Sequence, residues 1–599
     1  MQRKIIGLDS ETFNGYVKVL CASNGMYIES SKTIDLLNFL MKLPDADYYV
    51  FYNINYDLGS IIKEYIVSKG NELHDQFYEK INAERLDDNE EEEGYTFEID
   101  KYRLKYLSGK MFSIQYIGFK KKKYFWDASN FYKTGIGHMK LDDAAQKFLN
   151  DSKNNEELEI DRKRIGENEG YYEANREKII KYCIKDAELT ARLFQRSIDA
   201  YENLGLNFPE MPYSEASIFK EYISDFWDDE IKVNKYYQSI PQANYFVSAY
   251  RGGIFLTKKI GYYEDVMDID INSAYPYAMS MLFSLVNSQI VDYPSDYTFY
   301  KVLVCPQEYL PIKLGNRLFY GRSRKKLIYF LTEWDIKLME LYDYSYEIIE
   351  KIGIKTEGKL LPLHINEWYI KKNEIKNNYG YGSVEYMNVK IFLNSGYGVF
   401  AQSKPHITKF TNFIYASYIT AFTRYYILFL IKDYQKDVIS ISTDGILMRR
   451  NDQFIQKYRD KISENIGNLS IEYYDSVTQF ANGIYLLKNG DKYKLKKRGY
   501  EQLKVKDLFK PVYSIELKQN RPMRMIEAII QRKYGDINRF TEQTKIFSPY
   551  NCWLGNNPNF AEQLKDVRIS DFHDLQIDVP VANLDEHKVL RKITHKVNE

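Results

Sequence analysis

Apolar and polar residues alternate along the first ~200 residues in a way that predicts short strands interleaved with helices. Lys4–Leu8 and Tyr48–Tyr52 are short apolar runs typical of buried strands, and Ile179–Arg196 carries apolar residues at helical spacing. Three further runs predict an antiparallel meander: Arg103–Leu107, Met111–Ile117 and Lys123–Trp126. This mixture predicts an α/β or α+β domain.

The rest of the chain changes its pattern several times, which indicates more than one further domain. In order it contains a helical, aromatic-rich stretch (Ser214–Tyr237), a strand (Val266–Ile271), a mixed but strand-rich region (286–362), two helices (363–400), a long apolar helix (Phe413–Lys432) and a strand (Val438–Ser442). No internal repeat interrupts this order.

Composition places the chain among ordinary globular proteins. Its 599 residues suggest about four domains at ~150 residues each, and 28% of the residues are charged. We find no apolar run of the ~20 residues that a membrane span needs and no signal-peptide pattern at the N-terminus. The four cysteines form no C-x-x-C pair, which favours free thiols in a reducing compartment. Lysine and arginine balance aspartate and glutamate at 83 each, so net charge does not indicate a partner.

A first set of acidic residues predicts a metal-dependent hydrolytic site. Asp9 and Glu11 follow the first predicted strand, and residues two apart in a strand share a face. Two carboxylates on one face repel each other unless a cation lies between them, and oxygen ligands suit Mg²⁺ or Mn²⁺. Asp57 follows the second predicted strand, and Tyr182 and Asp186 share a helix face at i, i+4 spacing. Four acids and a tyrosine can hold two metal ions and orient a water for attack on a phosphodiester.

These residues occur in three motifs whose order resembles that of DnaQ-like proofreading exonucleases. The motifs are Asp9-Ser10-Glu11, Asn53-Ile54-Asn55-Tyr56-Asp57 and Tyr182-Cys183-Ile184-Lys185-Asp186. The resemblance implies that the four acids Asp9, Glu11, Asp57 and Asp186 are catalytic metal ligands. It also implies that Tyr182 orients the nucleophilic water and that Thr12 and Asn53 contact the 3′ end of a single strand.

Two later segments resemble motifs A and B of family B DNA polymerases. Asp270-Ile271-Asn272-Ser273-Ala274-Tyr275-Pro276 is similar to motif A, and Lys390-Ile391-Phe392-Leu393-Asn394-Ser395-Gly396-Tyr397-Gly398 is similar to motif B. On a helix, Lys390, Asn394 and Tyr397 form one stripe, and this mixture of side chains makes poor core. The resemblance implies that Asp270 binds the catalytic metals and that Tyr275 excludes a ribose 2′-hydroxyl. By the same resemblance Lys390, Asn394 and Tyr397 bind triphosphate, sugar and nascent base pair, with Lys371 as a second phosphate-binding lysine.

Three shorter segments extend the resemblance, and two of them depart from the family pattern. Ser442-Thr443-Asp444-Gly445 is similar to motif C, with Asp444 as the metal-binding acid, but Ser442 stands where the family has another acid. Tyr250-Arg251-Gly252-Gly253 matches the Y-x-G-G segment that contacts template, and glycine permits close approach of backbone to phosphate. Tyr485 lies where the family has K-x-Y at the primer terminus, although the lysine is absent.

The motifs occur in the order of the family and cover most of the chain, which therefore resembles a family B DNA polymerase with a 3′→5′ exonuclease. Its shortness and the wide separation between Asp270 and Lys390 resemble the protein-primed branch of phages, viruses and linear plasmids, in which an insertion at this place contacts a terminal protein. The short separation between Gly398 and Asp444 leaves no room for the second insertion that supports strand displacement.

The resemblance implies an α/β and α+β multidomain fold, with an RNase H-like exonuclease domain and a right-hand polymerase. The expected parts are exonuclease (1–205), first part of the palm (206–285), terminal-protein insertion (286–362), fingers (363–404), second part of the palm (405–510) and thumb (511–599). It further implies two Mg²⁺ or Mn²⁺ ions per active site and template-primer DNA, dNTPs and a terminal protein as partners. We expect a cytoplasmic protein, in the host if viral, with no membrane partner.

Three other functions remain open at this level. The residues Ser442 and Gly445 would also suit an exonuclease whose polymerase half has decayed. A primer-independent family B polymerase would need no separate motif of its own. A non-catalytic DNA-binding scaffold would not require two sets of acids at metal-ligand spacing.

Overall fold

A computed structural model describes residues 3–86, 94–134, 137–152, 164–165, 168–314, 317–402 and 408–585. Its N-terminal part contains β1 (Ile5–Phe13), β2 (Tyr16–Ala22), β3 (Tyr27–Ile28), α1 (Thr33–Lys42), β4 (Tyr48–Phe51), α2 (Ile54–Leu86), β5 (Tyr95–Ile99), β6 (Tyr102–Leu107), β7 (Met111–Tyr116), β8 (Lys122–Asp127), β9 (Lys133–Thr134), β10 (Gly137–His138), α3 (Leu141–Leu149) and α4 (Glu169–Asn203). Among these residues, eight strands form one sheet in the order β3-β2-β1-β4-β8-β7-β6-β5.

Strand β1 lies inside this sheet, antiparallel to β2 and parallel to β4. Helix α4 packs directly on β1, because a Cβ on Gly7 would lie only 1.9 Å from the carbonyl oxygen of Ala187. Only glycine permits this approach of backbone to backbone. The close contact brings the acid of α4, Asp186, beside the acids of β1.

The middle and C-terminal parts contain the remaining elements. They are α5 (Glu215–Ser224), α6 (Asp228–Ser239), α7 (Ala243–Ala249), β11 (Phe255–Thr257), β12 (Lys259–Ile271), α8 (Ala274–Ser280), β13 (Gln289–Val291), β14 (Tyr297–Val304), β15 (Ile312–Leu314), β16 (Arg317–Phe319), β17 (Leu327–Thr332), α9 (Glu333–Leu341), β18 (Tyr346–Lys355), α10 (Ile365–Tyr379), α11 (Val384–Phe400), α12 (Phe413–Ile431), β19 (Val438–Ser442), β20 (Gly445–Arg449), α13 (Asp452–Lys457), β21 (Leu469–Ala481), β22 (Ile484–Asn489), β23 (Lys492–Lys497), β24 (Ile515–Pro522), α14 (Met525–Ile530), β25 (Phe540–Phe547), α15 (Pro549–Leu554), α16 (Pro558–Gln563) and β26 (Gln576–Asp578).

A second large sheet lies at the centre of the polymerase half. Its strands run in the order β11-β19-β20-β12-β21-β22-β23, and β26 pairs with the start of β12. Strand β12 is antiparallel to both of its long neighbours, so that Asp270 faces Gly445 on one side and Ser470 on the other. Helix α12 covers the sheet and shares a core with it. By length and composition Phe413–Tyr434 could cross a membrane, but 83% of its most apolar window is buried inside the protein, as in a core helix.

The strand-rich region predicted at 286–362 contains its own small sheet. In the described residues the strands run in the order β13-β18-β14-β17, with β15 and β16 as a separate hairpin. Apolar side chains of this sheet and of α9 form a compact core: Tyr300, Val302, Leu331, Ile336 and Met339. The region therefore has a small core of its own, although Tyr297, Phe299 and Ile354 of the same sheet join the main core of the protein. Helices α10 and α11 form a pair after it.

A buried ion pair joins this region to helix α12. Arg424 is 2% exposed and Asp335 is 1% exposed, and their side chains are 2.7 Å apart. The same guanidinium donates to the carbonyls of Arg251 and Gly252, at 2.9 Å each. Burial alone would raise the pKa of Asp335, but Arg424 and Arg251 outweigh it and hold that pKa below its usual value.

Replacing Asp335 by alanine is expected to destabilise the protein strongly. The change leaves the Arg424 charge buried without its partner, which typically costs about 3–5 kcal/mol. Urea unfolding of the two proteins measures the loss. Asp433→Ala is the matched control, because its ion pair with Lys457 is exposed to solvent and should contribute less than about 1 kcal/mol. Equal effects of the two substitutions would contradict this role of Asp335.

Candidate active sites

A cleft of about 800 Å³ opens at the end of the central sheet, between the sheet and helices α10 and α11. Acidic side chains from the sheet and basic side chains from the helices face each other across it. The predicted residues Asp270, Asp444, Lys390 and Tyr485 all line this cleft. The structure thus brings together residues that lie more than two hundred positions apart in the chain.

Asp444 occupies the tight turn between β19 and β20. Thr443, just before it, has φ of +60°, a backbone conformation that is strained for a β-branched residue. Two hydrogen bonds hold the turn: the Thr443 amide donates to the Ile254 carbonyl at 2.7 Å, and the Ile271 amide donates to the Asp444 carbonyl at 3.0 Å. The turn is therefore fixed to the strand that carries Asp270, and both carboxylates face the same cleft.

The electrostatics of the cleft suit divalent cations. The Asp270 carboxylate lines the open cleft. The surrounding protein still excludes enough water to raise its pKa to about 7, and the charges of Asp444 and Asp268 raise the pKa further. Burial also raises the pKa of Asp444. A cation between such carboxylates stabilises their charged form. Asp270 and Asp444 therefore fit as ligands of Mg²⁺ or Mn²⁺.

Asp268 is an acidic residue of this cleft that the sequence analysis missed. It lies two positions before Asp270 on β12, and alternation places both side chains on the same face of the strand. Burial raises the pKa of Asp268, and the nearby charges of Lys496 and Lys494 offset only part of that effect. The D-x-D spacing of Asp268 and Asp270 was the available signal. The cleft thus contains Asp268, Asp270 and Asp444 at the end of the central sheet, although Ser442 replaces the acid usual for the family. Glu472 on β21 also lines it, in an ion pair with Lys494.

The basic side of the cleft corrects one prediction. The Lys371 ammonium donates to the carbonyl of Leu204 and lies over the ring of Trp368, so it does not reach the cleft. Lys372 lines the cleft instead, and its ammonium donates to Ser273 Oγ at 3.2 Å. Consecutive residues of a helix point about 100° apart, so a shift of one position changes the face. Burial lowers the pKa of Lys372 to about 8, with repulsion from Lys390 and Lys376 adding to it.

Replacing Lys372 by alanine is expected to raise the KM for the incoming nucleotide by roughly 10- to 100-fold. A charge-assisted hydrogen bond to phosphate is worth about 1.5–3 kcal/mol, and each 1.4 kcal/mol corresponds to about tenfold. Steady-state primer extension at varied dNTP concentration measures the effect. Lys371→Ala is the matched control and should change KM less than about twofold, since its ammonium contacts the Leu204 carbonyl and the Trp368 ring and does not line the cleft. A larger effect at Lys371 than at Lys372 would restore the original assignment.

Three tyrosines form one cluster beside the cleft. The Tyr250 and Tyr397 hydroxyls are 2.6 Å apart, and the rings of Tyr275 and Tyr397 stack with centroids at 4.5 Å. A Cβ on Gly253 would lie 2.8 Å from the Tyr275 hydroxyl and 2.8 Å from Thr443 Cγ2. Gly253 therefore allows the Y-x-G-G segment to touch motifs A and C together. The roles predicted for these residues remain predictions.

The other residues predicted for the polymerase site are either exposed or part of the cleft wall. Asn394 is exposed on α11, one turn after Lys390, and Gly252 has open space around it. Tyr485 is 8% exposed and forms part of the cleft wall. Lys496, in the neighbouring strand, is an exposed cation of the same cleft. Lys496 pairs with Tyr485, whereas the cation beside Gly483, where the family lysine is missing, is Arg498.

A second acidic site lies at β1 in the N-terminal domain. Carboxylate oxygens of Asp9, Glu11 and Asp186 all lie within 4.8 Å of one another. Asp9 and Glu11 are half-buried and Asp186 is 3% exposed. Tyr182 is buried on α4, one turn before Asp186. Three oxygen ligands at this spacing can hold a divalent cation.

Asp57 does not join this cluster, although the sequence predicts it as a ligand. It accepts a hydrogen bond from the Ser10 hydroxyl at 2.7 Å, and Ser10 alternates with Asp9 and Glu11 along the strand. Burial raises the pKa of Asp57 to about 7. The structure therefore brings three of the four predicted acids together and holds the fourth on Ser10.

The two residues predicted to bind a 3′ end lie in β1 and just before α2. Thr12 and Tyr56 share a hydrogen bond between their hydroxyls at 2.8 Å. Asn53 is exposed with φ of +70°, and its amide donates to the buried carboxylate of Asp127 at 3.0 Å. Asp127 also accepts from the Ile54 amide at 3.1 Å, so it caps the start of α2. Sequence analysis missed this supporting role because Asp127 lies outside every motif.

Comparison with known proteins agrees with these features. Residues 26–418 match the family described as DNA polymerase type B, organellar and viral. The DNA polymerase of Acidianus bottle-shaped virus (isolate Italy/Pozzuoli) is 27% identical over 280 residues, which is 42% of this chain. The match spans 40% of that relative's length.

Solved structures of Phi29 DNA polymerase are similar over nearly the whole chain. The ternary complex with primer-template DNA and incoming nucleotides matches with a TM-score of 0.61 and 17% identity, over 92% of this chain and 100% of that one. The complex with single-stranded DNA matches with a TM-score of 0.60 and 17% identity, over 91% of this chain and 100% of that one. This similarity confirms the predicted fold, an exonuclease-type domain joined to a right-hand polymerase. The chain belongs to the type B DNA polymerases of organelles and viruses.

Proposed function

We propose that this protein is a DNA-directed DNA polymerase with a 3′→5′ proofreading exonuclease, acting in the replication of a viral or plasmid genome. One observation carries the polymerase assignment. Two acids, Asp270 at the end of β12 and Asp444 in the adjacent β19–β20 turn, face Lys372 and Lys390 of the opposing helices across one open cleft. In this arrangement the lysines can bind the phosphates of a nucleoside triphosphate while the acids lie at the phosphate that reacts.

The side chains divide the work of nucleotide transfer. Asp270 and Asp444 would hold two divalent cations, which supply activation of a 3′-hydroxyl and charge stabilisation of the leaving pyrophosphate. Lys390 and Lys372 bind the phosphate oxygens and neutralise their charge. The stacked rings of Tyr275 and Tyr397 form the wall against which the incoming sugar and base lie. Template bases select the nucleotide.

The exonuclease assignment rests on the separate acidic cluster at β1. Asp9, Glu11 and Asp186 would hold the metal ions, whose chemistry is the generation of a nucleophilic hydroxide. Thr12, which follows Glu11 on β1, and Asn53, just before α2, would hold the frayed 3′ end. Tyr182 on α4 stands one turn from Asp186 and packs the back of the site.

Protein priming is the second part of the proposal. The region between motifs A and B has a small sheet and core of its own, as a docking domain for a terminal protein would require. A serine, threonine or tyrosine hydroxyl of that protein would replace the primer 3′-hydroxyl in the cleft. The partners would then be template-primer DNA, dNTPs and a terminal protein. The four free thiols suit the reducing cytoplasm of a host cell.

Extension of a labelled, recessed DNA primer with Mg²⁺ tests the proposed function. Extension in the presence of dNTPs and shortening in their absence are expected. A bare single-stranded template with dNTPs alone tests priming, and we expect no product without a terminal protein. Shortening under every condition would favour the exonuclease with an inactive polymerase half, and product on the bare template would favour primer-independent synthesis.

A further inference from the structure

The two-stranded ribbon β24–β25 bridges two separate cores. At its base Ile515, Leu517 and Phe547 are buried with Trp553 and Phe560 in the thumb core. In the middle of the ribbon, residues 518–520 and 542–546 are exposed, and their side chains include both faces of the ribbon. Eight residues per strand span about 26 Å. A hairpin of this kind is marginal by itself, so its ends must hold it in place.

The tip of the ribbon lies inside the hydrophobic core of the N-terminal domain. Apolar side chains of the tip pack with residues of helix α2 such as Leu58, Ile62 and Ile66; the tip residues are Met523, Met525, Ala528, Ile529 and Ile537. We call residues 523–538 the thumb tip. Burial of five apolar side chains in a core contributed by another domain indicates a specific contact.

Polar contacts fix the thumb tip at one register. The buried Lys63 ammonium donates to the carbonyls of Asn14 and Ile537, at 2.7 Å each. Asn538 Nδ2 donates to the Tyr56 carbonyl at 2.5 Å and to Ser60 Oγ at 2.7 Å. These bonds satisfy groups that would otherwise be buried without partners.

Two glycines on α2 allow the tip to come this close. A Cβ on Gly59 would lie 3.1 Å from the side chain of Asn538, and a Cβ on Gly70 would lie 2.6 Å from the ring of Tyr534. Tyr534 also donates from its hydroxyl to Asn71 Oδ1 at 2.9 Å. The surface of α2 is therefore shaped to receive the thumb tip.

The contact between the thumb tip and α2 completes a closed circuit, in which each domain touches the next and the last touches the first. The N-terminal domain touches the fingers through the ion pair of Arg196 with Glu385 at 2.6 Å. The fingers face the central sheet across the cleft, the sheet continues into the thumb, and the thumb tip returns to α2. Lys492 and Lys496 are exposed cations on β23. Three more basic side chains of β23 and the ribbon are held in solvent-exposed ion pairs, Lys494 with Glu472, Lys518 with Glu542 and Arg521 with Glu527, which cost little to exchange for a phosphate. Lysine and arginine suit a phosphate backbone.

We propose that the thumb tip is a latch that closes this circuit into a ring around the newly made DNA duplex, an inference that rests on the proposed polymerase function. The ribbon spans the duplex, the exposed Lys492 and Lys496 supply positive charge for its phosphates, and the latch on α2 prevents sideways escape. When the thumb tip leaves α2, DNA that has no free end can enter the ring. The ring would replace the second insertion, for which the sequence has no room.

A disulfide across the latch tests whether the ring encloses DNA. We would introduce Gly70→Cys and Tyr534→Cys with Cys305→Ser and Cys552→Ser, which removes the half-buried native thiols. A Cβ at position 70 would lie 2.6 Å from Tyr534 Cγ, so the two new Cβ atoms fall within reach of the roughly 4 Å of a disulfide. The probes are one primer annealed to a closed single-stranded circle and the same primer on a linear template with an open duplex end.

The oxidised protein should extend the linear primer-template at the rate of the reduced protein and lose at least about tenfold on the circle. Blocking the open end with streptavidin should abolish extension of the linear DNA as well. Equal extension of circle and linear DNA by the oxidised protein would overturn the ring. Failure of the reduced protein on both templates would instead contradict the proposed polymerase function.

A second variant tests the latch even if the disulfide does not form. Lys63→Met with Asn538→Gly removes the polar contacts, and glycine keeps the φ of +57° at position 538 without strain. With a heparin trap that permits one binding event, product length should fall several-fold while the rate of single-nucleotide addition is unchanged. Unchanged product length would overturn the latch.

Discussion

Asp270→Asn should abolish primer extension and at the same time make the metal-free protein more stable. Loss of this carboxylate removes a ligand from the cleft, and metal-ion charge stabilisation is worth several kcal/mol, so extension should fall by at least about a thousandfold. Excision at the N-terminal site should continue, because its acids belong to a different domain. Extension and excision assays on one labelled primer measure both activities.

The gain in stability follows from the raised pKa of Asp270. A carboxyl whose pKa is about 7 in the folded protein and near 3.9 when unfolded stabilises the fold only while it is protonated. That contribution is present below about pH 4 and is lost as the pH rises to about 7. Asp270→Asn should therefore raise the melting temperature at pH 8 without metal and change it little at pH 4.5.

An exposed carboxylate provides the control for this pH dependence. Asp292 lies on the surface of the region between motifs A and B, and Asp292→Asn should leave both extension and the melting temperature unchanged at each pH. Added Mg²⁺ should reverse the order of stability, because the wild-type cleft binds the cation and the variant does not. A variant that extends primers normally would show that Asp270 is not a catalytic ligand.

Asp9→Ala combined with Glu11→Ala should abolish excision and leave extension intact. The two carboxylates, with Asp186, form the acidic cluster of the N-terminal domain, and removing two of three ligands leaves no site for a divalent cation. We expect excision of a mispaired 3′ nucleotide to fall by at least about a thousandfold. Incorporation of a correct nucleotide should stay within about twofold of wild type.

The matched control is Asp45→Ala, which removes an exposed carboxylate of the same domain. It should change neither activity. Misincorporated nucleotides should persist in products of the Asp9 and Glu11 variant, and sequencing of those products would reveal them. If extension failed together with excision, the substitutions would have disturbed the domain contacts instead of the acidic cluster alone.

Sequence patterns predicted the parts of this protein that depend on local spacing. The strand at Val438–Ser442 and the helix from Phe413 were predicted within a residue of their observed ends, because long apolar runs define them without help from the rest of the chain. Asp270 and Asp444 were found because each follows such a strand in a motif. The structure then places both at one cleft.

Residues whose role depends on helix phase or on distant partners were harder to predict. Lys371 and Lys372 are adjacent, and only the packing of α10 decides which one faces the cleft. Asp57 lies in a recognisable motif, yet its carboxylate accepts from the Ser10 hydroxyl and lies outside the tight cluster of Asp9, Glu11 and Asp186. No local pattern could show that Lys63 binds the carbonyl of Ile537, since the two residues are 474 positions apart.

The buried ion pair of Arg424 and Asp335 limits which residues could be deleted to make a shorter version of this enzyme. Residues 286–362 have a small core of their own, so they could be mistaken for a domain that can be deleted without consequence. The excision would take Asp335 away and leave a guanidinium without a counter-ion against the carbonyls of Arg251 and Gly252. A shortened design would need to replace Arg424 by an apolar side chain and rebuild the support of the Y-x-G-G loop in the same step.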